Sequence, residues 1–236
     1  MTPLRPEVRA LIDAARAQTE SYATDKEFRI QWLGLTPRSR DYLAQQIQMF
    51  GELVGSVTPS LEGWRILDVG CGDGRWLRRM VDYGADPADV VGIDISDVRF
   101  KTGVAKNPLI SMLKTDGEVL PFKDASFDLV TQFVCFSNIP TDALRRRTAG
   151  EVARVLRPGG YVFWWELLRS TAASDVNAPL DPADYFDWPI SQNLVGQRPR
   201  PSATLRPMPG LRWLGRVIDI LSMPPTHKAA LIGPKP

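Results

Sequence analysis

Short, continuous apolar runs recur along the middle of the chain and alternate with segments whose apolar residues follow a helical spacing. These patterns predict strands near 65–69, 90–94, 110–114, 128–134 and 160–166, and helices near 74–83, 97–104 and 141–156. Strands that alternate with helices at this period form a parallel sheet covered by helices on both faces. Because such a sheet is buried on both sides, its strands are apolar throughout. The pattern therefore predicts a doubly wound α/β fold.

Both ends of the chain depart from this alternation. Helical stripes at about 6–20 and 38–54 precede the first strand, so we expect residues 1–60 to form a helical cap on a core of 61–236. Eleven of the 20 prolines lie between Pro179 and Pro236, which is too many for a regular βαβ continuation. We expect residues 167–225 to form a proline-rich insertion on the substrate side, built as a long loop with short helices. Within the later part of this insertion we expect a strand at 203–208 and a helix at 211–221. After the insertion we expect a last strand at 228–232.

Residues 66–76 form the most informative stretch of the sequence, Ile-Leu-Asp-Val-Gly-Cys-Gly-Asp-Gly-Arg-Trp. It reads as a buried strand, a glycine-rich turn and the start of a helix. Glycines let the backbone approach a ligand closely, and a helix start offers unpaired N–H groups. The next apolar run, 90–93, ends in Asp94, and an acid at the tip of the second strand suits the hydroxyls of a ribose. The two features together predict a cofactor that contains a nucleoside.

The spacing inside the loop distinguishes between cofactors. A dinucleotide fingerprint is G-x-G-x-x-G, whereas this chain has G-x-G-x-G with Asp68 before it and Asp73 within it. Acids at these positions would repel a pyrophosphate and suit a ligand with an amino end. An NAD-dependent enzyme remains an alternative at this point.

These residues resemble the class I S-adenosylmethionine-dependent methyltransferases, in particular the type 11 branch that acts on small molecules. Four motifs match in order: D-V-G-C-G-x-G from Asp68, V-G-I-D-I-S around Asp94, the run 115–130 with L-P-F-x-D-x-S-F-D-L-V, and the helix-to-strand turn 151–160. They cover about 66–166. The resemblance implies a Rossmann-like, mostly parallel seven-stranded sheet with an antiparallel last strand, and S-adenosyl-L-methionine as the cofactor.

The resemblance also implies a role for each residue at the carboxyl edge of the sheet, where open α/β sheets bind ligands. The expected cofactor-binding residues are Asp68, Gly70 and Gly72 at the methionine part, Asp94 at the ribose, Ile95, Asp116 and Gly117 at the adenine, and Gln132 and Phe133 beside the sulfonium. Purely structural roles are the alternatives for two of these residues: Gly72 could serve only a tight turn, and Asp94 could cap a helix, although Ser96 already offers a cap.

The sequence contains fewer signals for the catalytic residue and the acceptor pocket than for the cofactor site. A hydroxyl acceptor benefits from a general base, and His227, at the start of the last strand, is the single histidine of the chain. A structural role is the alternative for His227, and Glu166, Asp124 and Tyr161 are further candidates. We expect an aromatic acceptor pocket, or else ordinary packing, from Trp164, Trp165, Tyr185, Phe186 and Trp188. Trp164 and Trp165 should point to opposite faces of one strand.

The predicted function is methylation of a small molecule, most simply O-methylation of a glycan precursor or secondary metabolite. N-methylation of an amino sugar or another amine, and a cofactor-binding partner protein without catalysis, remain open. A net charge of +2 gives no reason to expect a nucleic-acid partner, and Arg145–Arg147 reads as a solvated helix face. No apolar run approaches the ~20 residues of a membrane span. Two cysteines without zinc spacing favour a reducing, cytoplasmic location. The sequence leaves the oligomeric state open.

Overall fold

A seven-stranded sheet organises the residues described by the computed structural model, which are 6–26, 35–168, 180–195 and 227–236. The strands are β1 (Ile66–Val69), β2 (Val90–Asp94), β3 (Ser111–Lys114), β4 (Phe127–Phe133), β5 (Leu156–Leu167), β6 (Ile190–Val195) and β7 (His227–Ile232). Their order across the sheet is β3-β2-β1-β4-β5-β7-β6. Neighbours from β3 to β5 pair in parallel, whereas β7 runs antiparallel to both β5 and β6. The predicted fold class and its antiparallel last strand are confirmed.

Five α-helices surround the sheet within the described ranges. They are α1 (Pro6–Thr24), α2 (Pro37–Gly55), α3 (Arg75–Asp82), α4 (Asp97–Lys106) and α5 (Asp142–Val155). Side-chain caps fix three of the starts: Thr36 accepts from the Ser39 amide, Ser96 from Arg99 and Thr141 from Leu144. A cap oxygen satisfies an amide that the helix itself leaves unpaired. The helix boundaries therefore follow from the local sequence.

The core lies on both faces of the sheet. Neighbouring residues of one strand enter different layers, as Ile66 and Leu67 do, because successive side chains of a strand point in opposite directions. Trp165 joins the layer under α2 and α3, while Trp164 joins the layer under α5, and both are fully buried. The predicted opposite orientation of these two tryptophans is confirmed.

The segment 180–195 differs from its prediction. We expected a loop with short helices there, and the structure has a short 3-10 turn at Pro182–Asp184 followed by the strand β6. β6 is an edge strand that pairs only with β7 among the described strands, and its Ser191 and Gln192 are exposed. An edge strand with a polar outer face lacks the continuous apolar run that predicts the inner strands. The strand expected at 203–208 and the helix expected at 211–221 lie outside the described residues.

The register of β7 determines which side chains reach the carboxyl edge of the sheet. His227, the first residue of β7, pairs with Leu167, the last residue of β5. Since β7 is antiparallel, its beginning lies at the edge where the parallel strands end.

No helix within the described ranges is long and apolar enough to cross a membrane.

Candidate functional site

A cavity of about 640 Å³ opens at the carboxyl edge of the sheet. Its floor is formed by the glycine loop after β1 and by the tips of β2 and β4, and residues 115–118 after β3 continue it. α1 and α2 close it from above through residues that include Ile12, Thr19 and Tyr42. A volume of this size suits a cofactor together with a small acceptor.

The glycine loop requires glycine for reasons within the protein. Gly70 and Gly72 have positive φ values of 75° and 59°, a region that side chains with a Cβ avoid. A Cβ on Gly70 would lie 2.7 Å from Sγ of Cys135. A side chain at Gly70 would therefore collide with Cys135 even when no ligand is bound.

Asp94 joins the glycine loop to the tip of β2. Its Oδ2 accepts a hydrogen bond from the Gly72 amide and its Oδ1 accepts one from the Ser96 amide, both at 2.8 Å. Burial raises the pKa of the Asp94 carboxyl, and these two amide donors oppose that rise. Each oxygen keeps acceptor capacity for a hydroxyl group. Ser96, not Asp94, caps α4, so the cap reading of Asp94 is not needed.

Asp68 brings a second buried carboxyl to the cavity lining. Thr131 donates its hydroxyl to Asp68 Oδ1 at 2.7 Å. Burial raises the pKa of Asp68 to about 7, and the hydrogen bond from Thr131 offsets only part of that rise. A carboxyl in this state is stabilised in its charged form by a nearby ammonium group. This is the chemistry that an amino-acid end of a ligand supplies.

Ile95, Asp116 and Gly117, the residues expected at the adenine, all line the cavity. Asp116 accepts the Glu118 amide at 3.3 Å through Oδ1, while Arg9 of α1 lies 3.5 Å from Oδ2. The carboxylate is partly exposed, so it keeps acceptor capacity toward the cavity. α1 thus reaches across to the tip of β3.

Only one of the two residues expected beside the sulfonium lines the cavity. Phe133 does so, stacked on Trp76 with ring centroids 3.9 Å apart. Gln132 is buried, its Oε1 accepts the Cys135 amide at 2.9 Å, and its Nε2 finds no partner among the described residues. The expectation for Gln132 is corrected, because consecutive residues of a strand point to opposite faces.

His227 lies in the same cavity. Its ring stacks on Trp165 with centroids 5.4 Å apart and meets the edge of Tyr42 at 5.2 Å. Burial lowers the pKa of His227 to about 4, so the imidazole is neutral at physiological pH. The further candidates for a general base, Glu166, Asp124 and Tyr161, do not line the cavity. Glu166 accepts a hydrogen bond from the Ser137 hydroxyl. Asp124 forms an ion pair with Arg154, and Tyr161 stacks on Trp64.

The aromatic lining differs from the expected one. None of Trp164, Trp165, Tyr185, Phe186 and Trp188 lines the cavity, and all five are packed in the two core layers. The aromatic residues of the described lining are Tyr22, Tyr42, Trp76 and Phe133. Tyr42 is positioned by Trp165, which donates its indole N–H to the Tyr42 hydroxyl at 3.0 Å. Trp164 and Trp165 point from β5 into the two layers, and Tyr185, Phe186 and Trp188, which precede β6, pack in the layer of Trp164.

The order of the strands, the glycine loop and the carboxylates of Asp68, Asp94 and Asp116 at the carboxyl edge all agree with the family that the sequence resembles. The family model described as a methyltransferase domain matches residues 67–164. Residues 67–164 form a class I S-adenosylmethionine-dependent methyltransferase domain. Its cofactor is S-adenosyl-L-methionine. The lining fits that cofactor chemically, since the carboxylates of Asp68, Asp94 and Asp116 can accept hydrogen bonds from amino and hydroxyl groups.

Curated relatives share this methyltransferase domain. The chain is 34% identical over 125 residues to phthiotriol/phenolphthiotriol dimycocerosates methyltransferase 1 of Mycobacterium ulcerans, covering 51% of this chain and 44% of the relative. It is 34% identical over 113 residues to demethylmenaquinone methyltransferase of Staphylococcus aureus, covering 47% and 46%. The matched region spans less than half the length of either relative.

Solved structures extend the similarity beyond the domain. A chain from the complex of the Haloferax volcanii Trm112 methyltransferase activator with a methyltransferase matches 98% of this chain and 100% of its own length, with a TM-score of 0.59 and 19% identity. The [4+2]-cyclase SpnF matches over 81% of each chain, with a TM-score of 0.56 and 19% identity. At these identities the likeness shows the fold alone.

Proposed function

We propose that the protein transfers the methyl group of S-adenosylmethionine to a hydroxyl group of a small molecule, such as a glycan precursor or a secondary metabolite. The observation that carries this proposal is the position of His227, which lines the cofactor cavity beside Tyr42 and Trp165. His227 reaches the cavity because β7 begins at the carboxyl edge, opposite Leu167.

The proposed cofactor contacts lie along the carboxyl edge of the sheet. Asp94 binds the ribose hydroxyls, and Phe133 packs beside the sulfonium. The remaining contacts are Asp68, Gly70 and Gly72 at the methionyl end, and Ile95, Asp116 and Gly117 at the adenine. All of these residues line the cavity.

The chemistry divides between the cofactor and the chain. S-adenosylmethionine supplies an electrophilic methyl group. The protein holds the acceptor hydroxyl in line with that group and excludes water under α1 and α2. His227 takes the proton that the hydroxyl loses, and its lowered pKa keeps the accepting nitrogen unprotonated at neutral pH. General bases contribute about 10²- to 10⁴-fold to rate, and most when their pKa lies near the working pH, so a pKa of about 4 places His227 toward the lower end of that range.

A small molecule fits the surroundings better than a nucleic acid does. The cavity is covered by the two helices α1 and α2. The three arginines at the start of α5 bond to other residues of the protein. Arg145 is buried and donates to the Phe136 carbonyl, which corrects its reading as part of a solvated face. Arg146 and Arg147 pair with Asp142 and Glu118. Both curated relatives are named for small-molecule methylation, and the two free cysteines suit a cytoplasmic location.

The test uses tritium-labelled S-adenosylmethionine with two panels of small acceptors, one of phenols and sugars and one of primary amines. The proposal predicts label on hydroxyl compounds. It also predicts that His227→Ala lowers turnover at least about a hundredfold while cofactor affinity stays unchanged. Because the pKa of His227 is about 4, the acid limb of the parent rate profile should lie near pH 4 instead of 6.5.

Other outcomes would contradict the proposal. Label confined to amines would indicate N-methylation, which needs no base, and His227→Ala would then keep its rate. Binding without transfer to either panel would indicate a cofactor-binding protein of another kind. A fold neighbour described as a cyclase shows that this fold does not by itself define the reaction.

A further inference from the structure

A buried acceptor atom in the cavity lining is used neither by the proposed cofactor contacts nor by His227. Gln46 of α2 lines the cavity and is only 4% exposed. Its Nε2 donates to the Tyr42 hydroxyl at 3.2 Å, whereas its Oε1 accepts no hydrogen bond from the described part of the chain. A buried carbonyl oxygen without a donor costs free energy, so a ligand that brings a donor to it gains affinity.

Hydrogen bonds that meet at Tyr42 fix the orientation of the Gln46 carboxamide. The Tyr42 hydroxyl oxygen accepts the indole N–H of Trp165 at 3.0 Å as well as Nε2 of Gln46. A hydroxyl oxygen has two lone pairs, and both are engaged by these donors. Since the nitrogen and oxygen of a carboxamide diverge from one carbon, the bond through Nε2 turns Oε1 away from Tyr42. Oε1 is therefore presented as an acceptor in a fixed direction.

Gln46 lies at the end of the cavity that is away from the ribose contact. Its partner Tyr42 is bonded to Trp165 on β5, and the ring of Tyr42 also meets His227 at the start of β7, with centroids 5.2 Å apart. Asp94 ends β2, and β1 and β4 separate β2 from β5 in the sheet. Gln46 and the proposed base thus border the same tyrosine, where the methyl acceptor has to sit.

Two features of this end of the cavity define the chemistry of a fitting acceptor. Aromatic faces in the lining, among them Tyr42 and Phe133, suit a flat ring. His227 takes the proton of the hydroxyl that is methylated, while Gln46 Oε1 requires a second donor close by. We infer that Gln46 selects a ring with two neighbouring hydroxyl groups, as in a catechol, by accepting a hydrogen bond from the hydroxyl that is not methylated. This inference rests on the proposed function and names its substrate class.

The experiment measures binding of catechol, guaiacol and phenol to the protein saturated with S-adenosylhomocysteine, by ligand-detected NMR titration. Guaiacol keeps both oxygens of catechol but only one hydroxyl group. The parent should bind catechol at least about fivefold more tightly than either other probe, the effect of one hydrogen bond. Gln46→Leu should reduce that preference to within about twofold and leave phenol affinity unchanged. Gln46→Glu loses the donor to Tyr42 but keeps an acceptor oxygen, and it should retain the preference.

Gln48→Leu is the matched control, because Gln48 lies on the same helix, is exposed, and bonds to Glu52 outside the cavity lining. It should keep the full preference for catechol. A parent that binds catechol no more tightly than guaiacol and phenol overturns the inference, and so does a Gln46→Leu protein that keeps the preference. Loss of the preference in both Gln46 variants also overturns it, since that traces the effect to the bond with Tyr42.

A second readout separates this inference from the reaction on which it rests. S-adenosylhomocysteine should bind Gln46→Leu as tightly as it binds the parent, and a matching loss of that ligand would place Gln46 at the cofactor and overturn the inference. A preference for catechol without methyl transfer to any hydroxyl would count against the proposed reaction alone.

Discussion

Titratable side chains at the carboxyl edge of the sheet have pKa values set mainly by burial. Burial raises the pKa of Asp68 and of Glu166 to about 7 each, and lowers that of His227 to about 4. All three shifts favour the neutral form. The sequence placed these residues near strand ends, but it could not give their burial. That property depends on how α1, α2 and β7 cover the edge.

Glu166 gives a pH-dependent prediction for stability. Its carboxyl accepts the Ser137 hydroxyl at 2.8 Å and amide bonds from Ser137 and Leu167. Since the pKa of about 7 in the folded state exceeds the ordinary glutamate pKa of 4.5, the folded state binds this proton more tightly than the unfolded state. The resulting stability is complete below pH 4.5 and is lost as pH rises through 7.

Glu166→Gln cannot ionise and should remove that loss. Relative to its value at pH 5, the free energy of unfolding at pH 8 should fall less in the variant than in the parent, by about 3 kcal/mol. Urea unfolding at the two pH values measures the difference. Glu62→Gln, at an exposed position, is the control and should follow the parent. Parallel pH dependence in Glu166→Gln and parent would contradict the assignment.

At the scale of elements, α1 acts as a cover fixed by polar contacts to the core. Glu20 accepts the Ser96 hydroxyl at 3.0 Å and the Val98 amide at 3.2 Å, and it also accepts the Asp97 amide. Its carboxylate therefore neutralises the amino terminus of α4, where the helix dipole is positive. The helical stripe predicted α1, but nothing in the sequence indicated which helix end its acid would meet.

Weakening this contact should loosen the cover over the cofactor. Glu20→Ala removes a carboxylate that satisfies helix-start amides, a loss of about 1 kcal/mol. We expect S-adenosylhomocysteine to dissociate about fivefold faster, measured by stopped-flow displacement. Glu7→Ala, on the exposed first turn of α1, should leave the rate unchanged. An unchanged rate in Glu20→Ala would show that α1 does not retain the cofactor.

For the whole molecule, the sequence predicted the strands from β1 to β5, the antiparallel β7 and a line of candidate cofactor residues at the sheet edge, of which all but Gln132 line the cavity. These features follow from local patterns and from contiguous motifs. β6 was missed because its outer face is polar. The position of His227 beside Tyr42 and Trp165 depends on strand register and on a helix more than a hundred residues away in the chain, so spacing alone could not reveal it.

The central claim is that the cavity at the carboxyl edge binds S-adenosylmethionine through Asp94 and its neighbours. Calorimetric titration with S-adenosylhomocysteine tests it most directly, with NAD as the competing ligand and Asp94→Ala and Asp82→Ala as variants. We predict one bound S-adenosylhomocysteine per chain and no heat with NAD. Asp94→Ala should bind about 2 kcal/mol more weakly, because a charged acceptor of hydrogen bonds is lost, whereas the exposed Asp82 should make no difference. Absence of heat with S-adenosylhomocysteine, or equal affinity in Asp94→Ala and the parent, would contradict the account.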